Sequence, residues 1–174
     1  MARDESGSIS RIVKLVRGRK LSPRLVLKML FCEITRRSVK TRIGCKKITS
    51  NNDLLELITN YSPCKVILFR AGLIINKTVL AAGVLFYNIH CAKIPEYGGI
   101  GSIHRAIRDK SFKQTATLHQ VTESIDSGVV YDTEPYELNP ELGYCANEDK
   151  AYDAGIRLLV RVIRQQQEIL EKKK

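Results

Sequence analysis

Tryptophan is absent from the 174-residue chain and aromatic residues make up only 6% of it. No apolar run approaches the ~20 residues of a membrane span. The first residues, MARDESGSIS, lack the charged-then-apolar order of a signal peptide. Five cysteines (Cys32, Cys45, Cys64, Cys91 and Cys145) are scattered and include no C-x-x-C pair. That pattern weighs against a disulfide frame and against a thiolate zinc site, and suits a reducing compartment. These absences set aside secreted, membrane-spanning and fibrous classes and lead us to expect a cytoplasmic protein. Hydrophobic residues at 44% and charged residues at 27% are an ordinary globular balance. The length suits one domain, on the usual scale of roughly 100–200 residues.

The charge is unevenly distributed. Residues 1–50 carry fourteen Lys/Arg against three Asp/Glu, while residues 51–174 carry fifteen of each, so the formal net charge of +11 sits in the first 50 residues. Such asymmetry implies a polyanion near the N-terminal part (nucleic acid, an acidic membrane face or a phosphorylated substrate) or simply a solvated basic face. The scarcity of aromatics and the lack of a nucleic-acid-binding motif weigh against a dedicated nucleic-acid binder.

Strand-like and helix-like segments alternate along the chain. Ile12–Val16 reads as a short strand before the basic turn Arg17-Gly18-Arg19-Lys20. Ser22-Pro23 starts a helix whose stripe is Leu25, Val26, Met29, Leu30 and Ile34, ending near Arg37. Asn51 or Asn52 caps a helix through Tyr61. Lys65–Phe69 and Val84–Ile89 are apolar strands, with a helical turn over Asn76–Ala82 between them. A helix over Ser102–Asp109, strands over Gln114–Val121 and Gly128–Tyr136, and a long helix from Glu148 to about Lys172 follow. The alternation predicts an α/β fold, a mainly parallel, twisted sheet flanked by helices.

Asn88 and His90 end an otherwise apolar strand, and period two turns both side chains to one side. Ligands of open α/β sheets bind beyond such strand ends. Pro95-Glu96-Tyr97-Gly98-Gly99 is a turn that lets backbone approach a ligand, and Asp126 lies in a loop just before another strand. An amide donor, an imidazole and a carboxylate make an acyl-transfer set. The same residue types at loop edges also serve as caps and turn formers.

The stretch Asn88-Ile89-His90, then Pro95-x-Tyr97-x-Gly99, Thr117-Leu118-His119 and Ile125-Asp126-Ser127-Gly128 resembles the formyltransferase family that uses 10-formyltetrahydrofolate. The resemblance covers about residues 51–136, treated as the catalytic core between a basic segment (1–50) and a C-terminal helix (146–172). It implies a Rossmann-like domain in which Asn88, His90 and Asp126 form the catalytic triad. It further implies that Phe69, Arg70, Ala71, Gly72 and Leu73 cradle the pterin with main-chain groups, with Ile125 and Ser127 beside the cofactor. Tyr97 and Gly99 are expected on the substrate side, and Arg17 and Arg19 to offer charge to a phosphate.

The chain departs from the family pattern at several places. Cys91 follows the triad histidine where proline is common, and Gly98 stands where arginine commonly follows the turn tyrosine. Cys91 beside a histidine invites a thiolate nucleophile, but strand neighbours point to opposite faces. His104 reads as a surface residue and His119 as a hydrogen-bonded structural one. No G-x-G-x-x-G-like segment precedes residue 51, so either the stretch at Ile12–Val16 is a degenerate first strand, with Arg17-Gly18-Arg19-Lys20 offering charge to a phosphate, or the sheet lacks its first strand or strands. The expected reaction moves a formyl group from 10-formyltetrahydrofolate to the amine of a phosphorylated acceptor, a nucleotide-linked amino sugar, with no metal. Methionyl-tRNA or glycinamide ribonucleotide as acceptor, hydrolysis of the formyl donor, and a catalytically idle folate- or polyanion-binding module are the alternatives. Since no second domain follows Lys174, a small acceptor is expected over tRNA. The apolar helix stripe and an exposed sheet edge point to a homodimer.

Overall fold

The computed structural model describes residues 2–4, 16–18, 22–37 and 46–171. They fall into two compact units, one of Met1–Cys64 with Ala71–Val84 and the other of Lys65–Arg70 with Leu85–Lys174.

In the first unit, β1 (Ala2–Asp4) pairs in parallel with β2 (Lys46–Ile48). The expected strand at Ile12–Val16 lies outside the described residues except for Val16, which is helical. Helix α1 (Pro23–Arg37) starts as expected, with Ser22 Oγ accepting from the Leu25 N–H at 3.2 Å. Its stripe is only partly used. Leu25 is buried and Val26 and Met29 are half-buried, whereas Leu30 and Ile34 are exposed, as are Leu27 and Phe31 outside the stripe. Helix α2 (Asn51–Tyr61) is capped one residue before the expected asparagines. Ser50 Oγ accepts from the Asp53 N–H, and Asp53 Oδ2 accepts from the Ser50 N–H, a reciprocal capping box. Asn51 is therefore free to tie the chain at 74–76, donating to the Ile74 carbonyl and accepting from the Asn76 N–H, both at 3.0 Å. Asn76 in turn caps the short α3 (Lys77–Leu80).

The second unit holds a four-stranded sheet in the order β3 (Lys65–Phe69), β4 (Leu85–His90), β5 (Lys113–Gln120), β6 (Val130–Glu137). The sheet is mixed. Only β3 and β4 run parallel, and β5 and β6 return antiparallel. Helix α4 (Ser102–Arg108) is short, and the chain leaving it comes back along β4 instead of crossing over in parallel.

Helix α5 (Tyr144–Glu171) starts four residues before its expected Glu148. Its buried positions Ala151, Ala154, Gly155, Leu158 and Val162 recur at helical spacing. The small residues bring it close to the sheet, where Ile89, Ala116 and Leu118 complete the core. A Cβ on Gly155 would lie 2.6 Å from the Phe69 ring and 2.9 Å from Cys91 Sγ, so any other residue there would force these side chains to shift. Arg161 grips Asp132 through Nε and Nη2 at 3.0 and 3.1 Å, and Arg157 reaches Glu134 at 2.9 Å, tying α5 to β6.

Cys64 and Cys91 are free thiols, but Cys32 and Cys145 are disulfide-bonded, contrary to the expectation from their scatter. No described helix is long and apolar enough to cross a membrane.

Candidate active site

Strand β4 carries the first two site residues. Ile89 between them turns into the core, so Asn88 and His90 face the opposite side together. The antiparallel register then sets His119 of β5 directly opposite Asn88, beside a bulge at Leu118/His119. The loop before β6 supplies Asp126, whose φ of +48° places it in the left-handed region. Aspartate tolerates this better than most residues because its short side chain can bond locally.

These four side chains meet. Asp126 Oδ2 lies 3.2 Å from His90 Nδ1, and Oδ1 lies 3.3 Å from His119 Nε2. Asn88 Nδ2 donates to Asp126 Oδ1 at 3.3 Å and lies 3.2 Å from His119 Nε2. The Gly99 N–H donates to Asp126 Oδ2 at 2.7 Å, and His90 Nε2 lies 2.8 Å from the Tyr97 carbonyl. Carbonyls and carboxylates only accept, so His90 makes both contacts as hydrogen bonds only when both ring nitrogens carry protons.

The electrostatics divide the roles. Burial pushes the Asp126 carboxyl up, but the His119 hydrogen bond, the His90 charge and the Gly99 N–H together hold it down at about 2. Burial pushes His90 below its ordinary value. Asp126 and the Tyr97 carbonyl oppose that shift, while His119 and Arg105 add to it. The site thus holds a permanent carboxylate beside an imidazole that is largely shielded from water and gives up its proton readily.

The structure brings Asp126 from the loop before β6 to Asn88 and His90 on β4. His119 joins them, and its buried side chain (2% exposed) forms part of the carboxylate's hydrogen-bond shell. Its strand position opposite Asn88 was the available signal, but pairing register is invisible in one sequence. Tyr97 and Gly99 contact His90 and Asp126 through their backbone groups, and the Tyr97 ring packs against the cluster of Ala92, Ile103 and Leu138. Gly98 leaves room for this: a Cβ there would already press on Asp126 Cβ at 3.2 Å.

At the end of β3 the Phe69 ring packs against the α5 core, and the Arg70 guanidinium stacks 4.0 Å from the Tyr152 ring centre. A main-chain role at these two residues is compatible with both contacts. Ala71, Gly72 and Leu73 belong to the first unit. Ile125 and Ser127 flank Asp126 on the exposed side, and Ser127 Oγ donates to the Ser124 carbonyl at 3.0 Å. Arg17 is exposed in the first unit, and Arg19 lies outside the described residues. Cys91 is no nucleophile at neutral pH, because burial pushes its thiol up to about 12. Among the described residues no group of three or more His, Cys, Asp or Glu is arranged to hold a metal ion.

This chain is similar to formyl-transferring proteins by sequence and by structure. A family described as "Formyl transferase" matches residues 15–163. A methionyl-tRNA formyltransferase of Sulfurihydrogenibium sp. (strain YO3AOP1) is 27% identical over 119 residues, which are 68% of this chain and 38% of that protein. One of Fervidobacterium nodosum is 28% identical over 66% of this chain and 36% of its own length. Among solved structures, a phosphoribosylglycinamide formyltransferase from Streptococcus pneumoniae TIGR4 aligns with a TM-score of 0.60 at 26% identity, covering 66% of this chain and 64% of that one. A formyltetrahydrofolate deformylase from Pseudomonas syringae pv. tomato shares the fold, with a TM-score of 0.63 at 20% identity over 72% of this chain and 45% of its own. The chain thus spans well under half the length of these two sequence relatives, and the matched stretch contains the whole Asn88–His90–Asp126 cluster. With the fold, the site and the match over residues 15–163 in agreement, the chain belongs to the formyl transferase family.

Proposed function

We propose that this chain catalyses transfer of the formyl group of 10-formyltetrahydrofolate to a primary amine on a phosphorylated acceptor, a nucleotide-linked amino sugar. The observation that carries the reading is the convergence of an amide, an imidazole and a carboxylate, drawn from one strand and a loop, at one largely buried point. In this reading the amine nitrogen attacks the formyl carbon and forms the new C–N bond. Negative charge gathers on the formyl oxygen. The bond from that carbon to the folate nitrogen then breaks, and the proton lost by the amine ends on the folate nitrogen.

Asn88 supplies the oxyanion donor. Its contacts to Asp126 and His119, at 3.3 and 3.2 Å, are longer than a strong N–H···O bond, so an oxyanion competes well for one of its two N–H groups. A donor of this kind is worth about 3 kcal/mol of barrier. His90, with its proton affinity lowered by burial, takes the amine proton or donates toward the developing charge. Asp126 fixes the ring and favours its protonated form at the moment the proton arrives. The donor set is amide, imidazole and carboxylate, which suits a neutral formamide group and requires no metal. This reading treats the chain as one catalytic domain of the cytoplasm, pairing as a homodimer through exposed α1 residues such as Phe31 and Ile34; a monomeric mass in solution would end that last element.

A second acceptor has its own support. The sequence relatives reported above are named for methionyl-tRNA, and the surplus of positive charge in residues 1–50 suits an RNA-borne amine. Water as acceptor uses the same three residues, as the name of the Pseudomonas neighbour suggests.

The deciding assay follows tetrahydrofolate release from 10-formyltetrahydrofolate with nucleotide-linked amino sugars, glycinamide ribonucleotide, methionyl-tRNA or water alone. Release with an amino sugar, abolished in Asn88→Ala and His90→Ala, supports the reading. Release only with tRNA or only with water transfers the assignment to that acceptor, and no release with any of them overturns the enzyme.

A further inference from the structure

Three consecutive residues of the turn between β4 and α4 are gripped from different sides. The Tyr97 carbonyl accepts from His90, the Gly98 carbonyl accepts from Arg105 Nη2, and the Gly99 N–H donates to Asp126. Two of these grips end on the His90–Asp126 pair. The third ends on a cation for which the reaction proposed above has no use.

We infer that Arg105 is a positioning residue, which sets the direction of the Gly99 N–H, and through it of Asp126 and His90, by holding the Gly98 carbonyl.

The mechanical argument is direct. The Gly98 carbonyl and the Gly99 N–H belong to one planar peptide unit, so holding the oxygen aims the hydrogen in the opposite direction. That unit lies between two glycines, the second at φ +77°, where the backbone is least restrained. Left alone it would rotate, and Asp126 would lose its shortest hydrogen bond, 2.7 Å. Arg105 can reach the turn because side chains on a helix lean toward its N-terminus, and it sits midway along the short α4, its own N–H bonded to the Gly101 carbonyl. Its Nε is buried without a hydrogen-bond partner. A donor kept dry and unpaired costs stability; the guanidinium accepts that position to meet the Gly98 carbonyl.

A second effect follows from charge. The ionisable groups facing His90 are Asp126 from the loop before β6, His119 from β5 and Arg105 from α4. Arg105 opposes protonation of the ring that Asp126 favours.

The inference rests on the formyl-transfer reading only for what the pair does, and its test reads how the pair is held. Arg105→Ala, Arg105→Gln and Arg105→Lys are made in 15N-labelled protein, and Gly99 amide exchange and His90 ring titration are followed by NMR. In the Ala and Gln variants the Gly99 amide exchanges about tenfold faster and the His90 midpoint rises by about half a pH unit. Arg105→Lys, which keeps the charge, returns the midpoint toward wild type. Tetrahydrofolate release in the Ala and Gln variants loses about tenfold in kcat, while KM for 10-formyltetrahydrofolate stays within about twofold. If the Ala variant fails to fold, the Gln variant carries the same readouts. Unchanged Gly99 exchange and an unchanged His90 midpoint, in variants with wild-type protection of β4, overturn the inference. A wild type that transfers no formyl group overturns the reaction instead, and leaves both NMR readouts standing.

Discussion

Asn88 Nδ2 donates to Asp126 Oδ1 across 3.3 Å, so the proposed oxyanion donor and the residue that orients the imidazole are bonded to each other. Replacing the amide by a second carboxylate sets two acceptors face to face. Asn88→Asp is expected to lower kcat for tetrahydrofolate release by about 10²–10³-fold. Binding of tetrahydrofolate, measured by fluorescence titration, stays near wild type, because the change falls on the transition-state charge. Equal losses in binding and turnover would remove Asn88 from that role.

The two depressed proton affinities act on stability in the same direction. Asp126 is held at about 2, so its stabilising share is present above its ordinary 3.8 and is lost as pH falls through 2. His90 is held below 6.5, so the unfolded chain binds its proton first, and stability falls as pH drops beneath that value. Urea midpoints for wild type and His90→Gln are expected to converge as pH is lowered from 8 to 5. A gap that is constant over that range would contradict the assigned direction.

Thiol chemistry separates two cysteines. Cys64 is exposed, while burial pushes Cys91 up to about 12. Iodoacetamide at neutral pH, with labelled sites located by mass spectrometry, is expected to modify Cys64 in the native protein and Cys91 only after denaturant is added. Native labelling of Cys91 would reopen the nucleophile excluded above.

Two glycines differ in what opposes a side chain. A Cβ at Gly155 meets the Phe69 ring and Cys91, both able to shift, so Gly155→Ala should cost about 1–3 kcal/mol in urea denaturation. A Cβ at Gly128 would lie 1.9 Å from the Gln120 carbonyl oxygen, a backbone atom fixed in β5. Gly128→Ala is therefore expected to be the more damaging substitution, with a lower urea midpoint and lower yield of folded protein.

What the sequence revealed depended on local chemistry. Ser22-Pro23 announced α1 to the residue, and strict alternation in β4 put Asn88 and His90 on one side without any structure. Features made by distant chain were hidden. His119 joined the site through antiparallel register with Asn88, 31 residues away. Arg105 reads as an ordinary helix cation until the turn at Gly98 folds back over it. The α2 cap moved from the asparagines to Ser50 because Asp53 completes a reciprocal pair there, and the mixed sheet arises because the chain after α4 returns antiparallel along β4, a pairing that no local pattern announces. Asp126 came forward from its place in a loop before a strand, and the family resemblance joined it to Asn88 and His90 as the third partner, which strand periodicity alone could not have done.

The left-handed turn at Asp126 narrows the alphabet open to that position. Asparagine retains both backbone and hydrogen-bonding shape, and glycine retains the backbone alone, whereas a β-branched residue fits neither. A saturation library at this codon, sorted for folded protein irrespective of turnover, is therefore expected to be enriched in aspartate, asparagine and glycine. A subsequent sort for turnover should retain aspartate alone, so this single position lets folding and chemistry be selected one after the other.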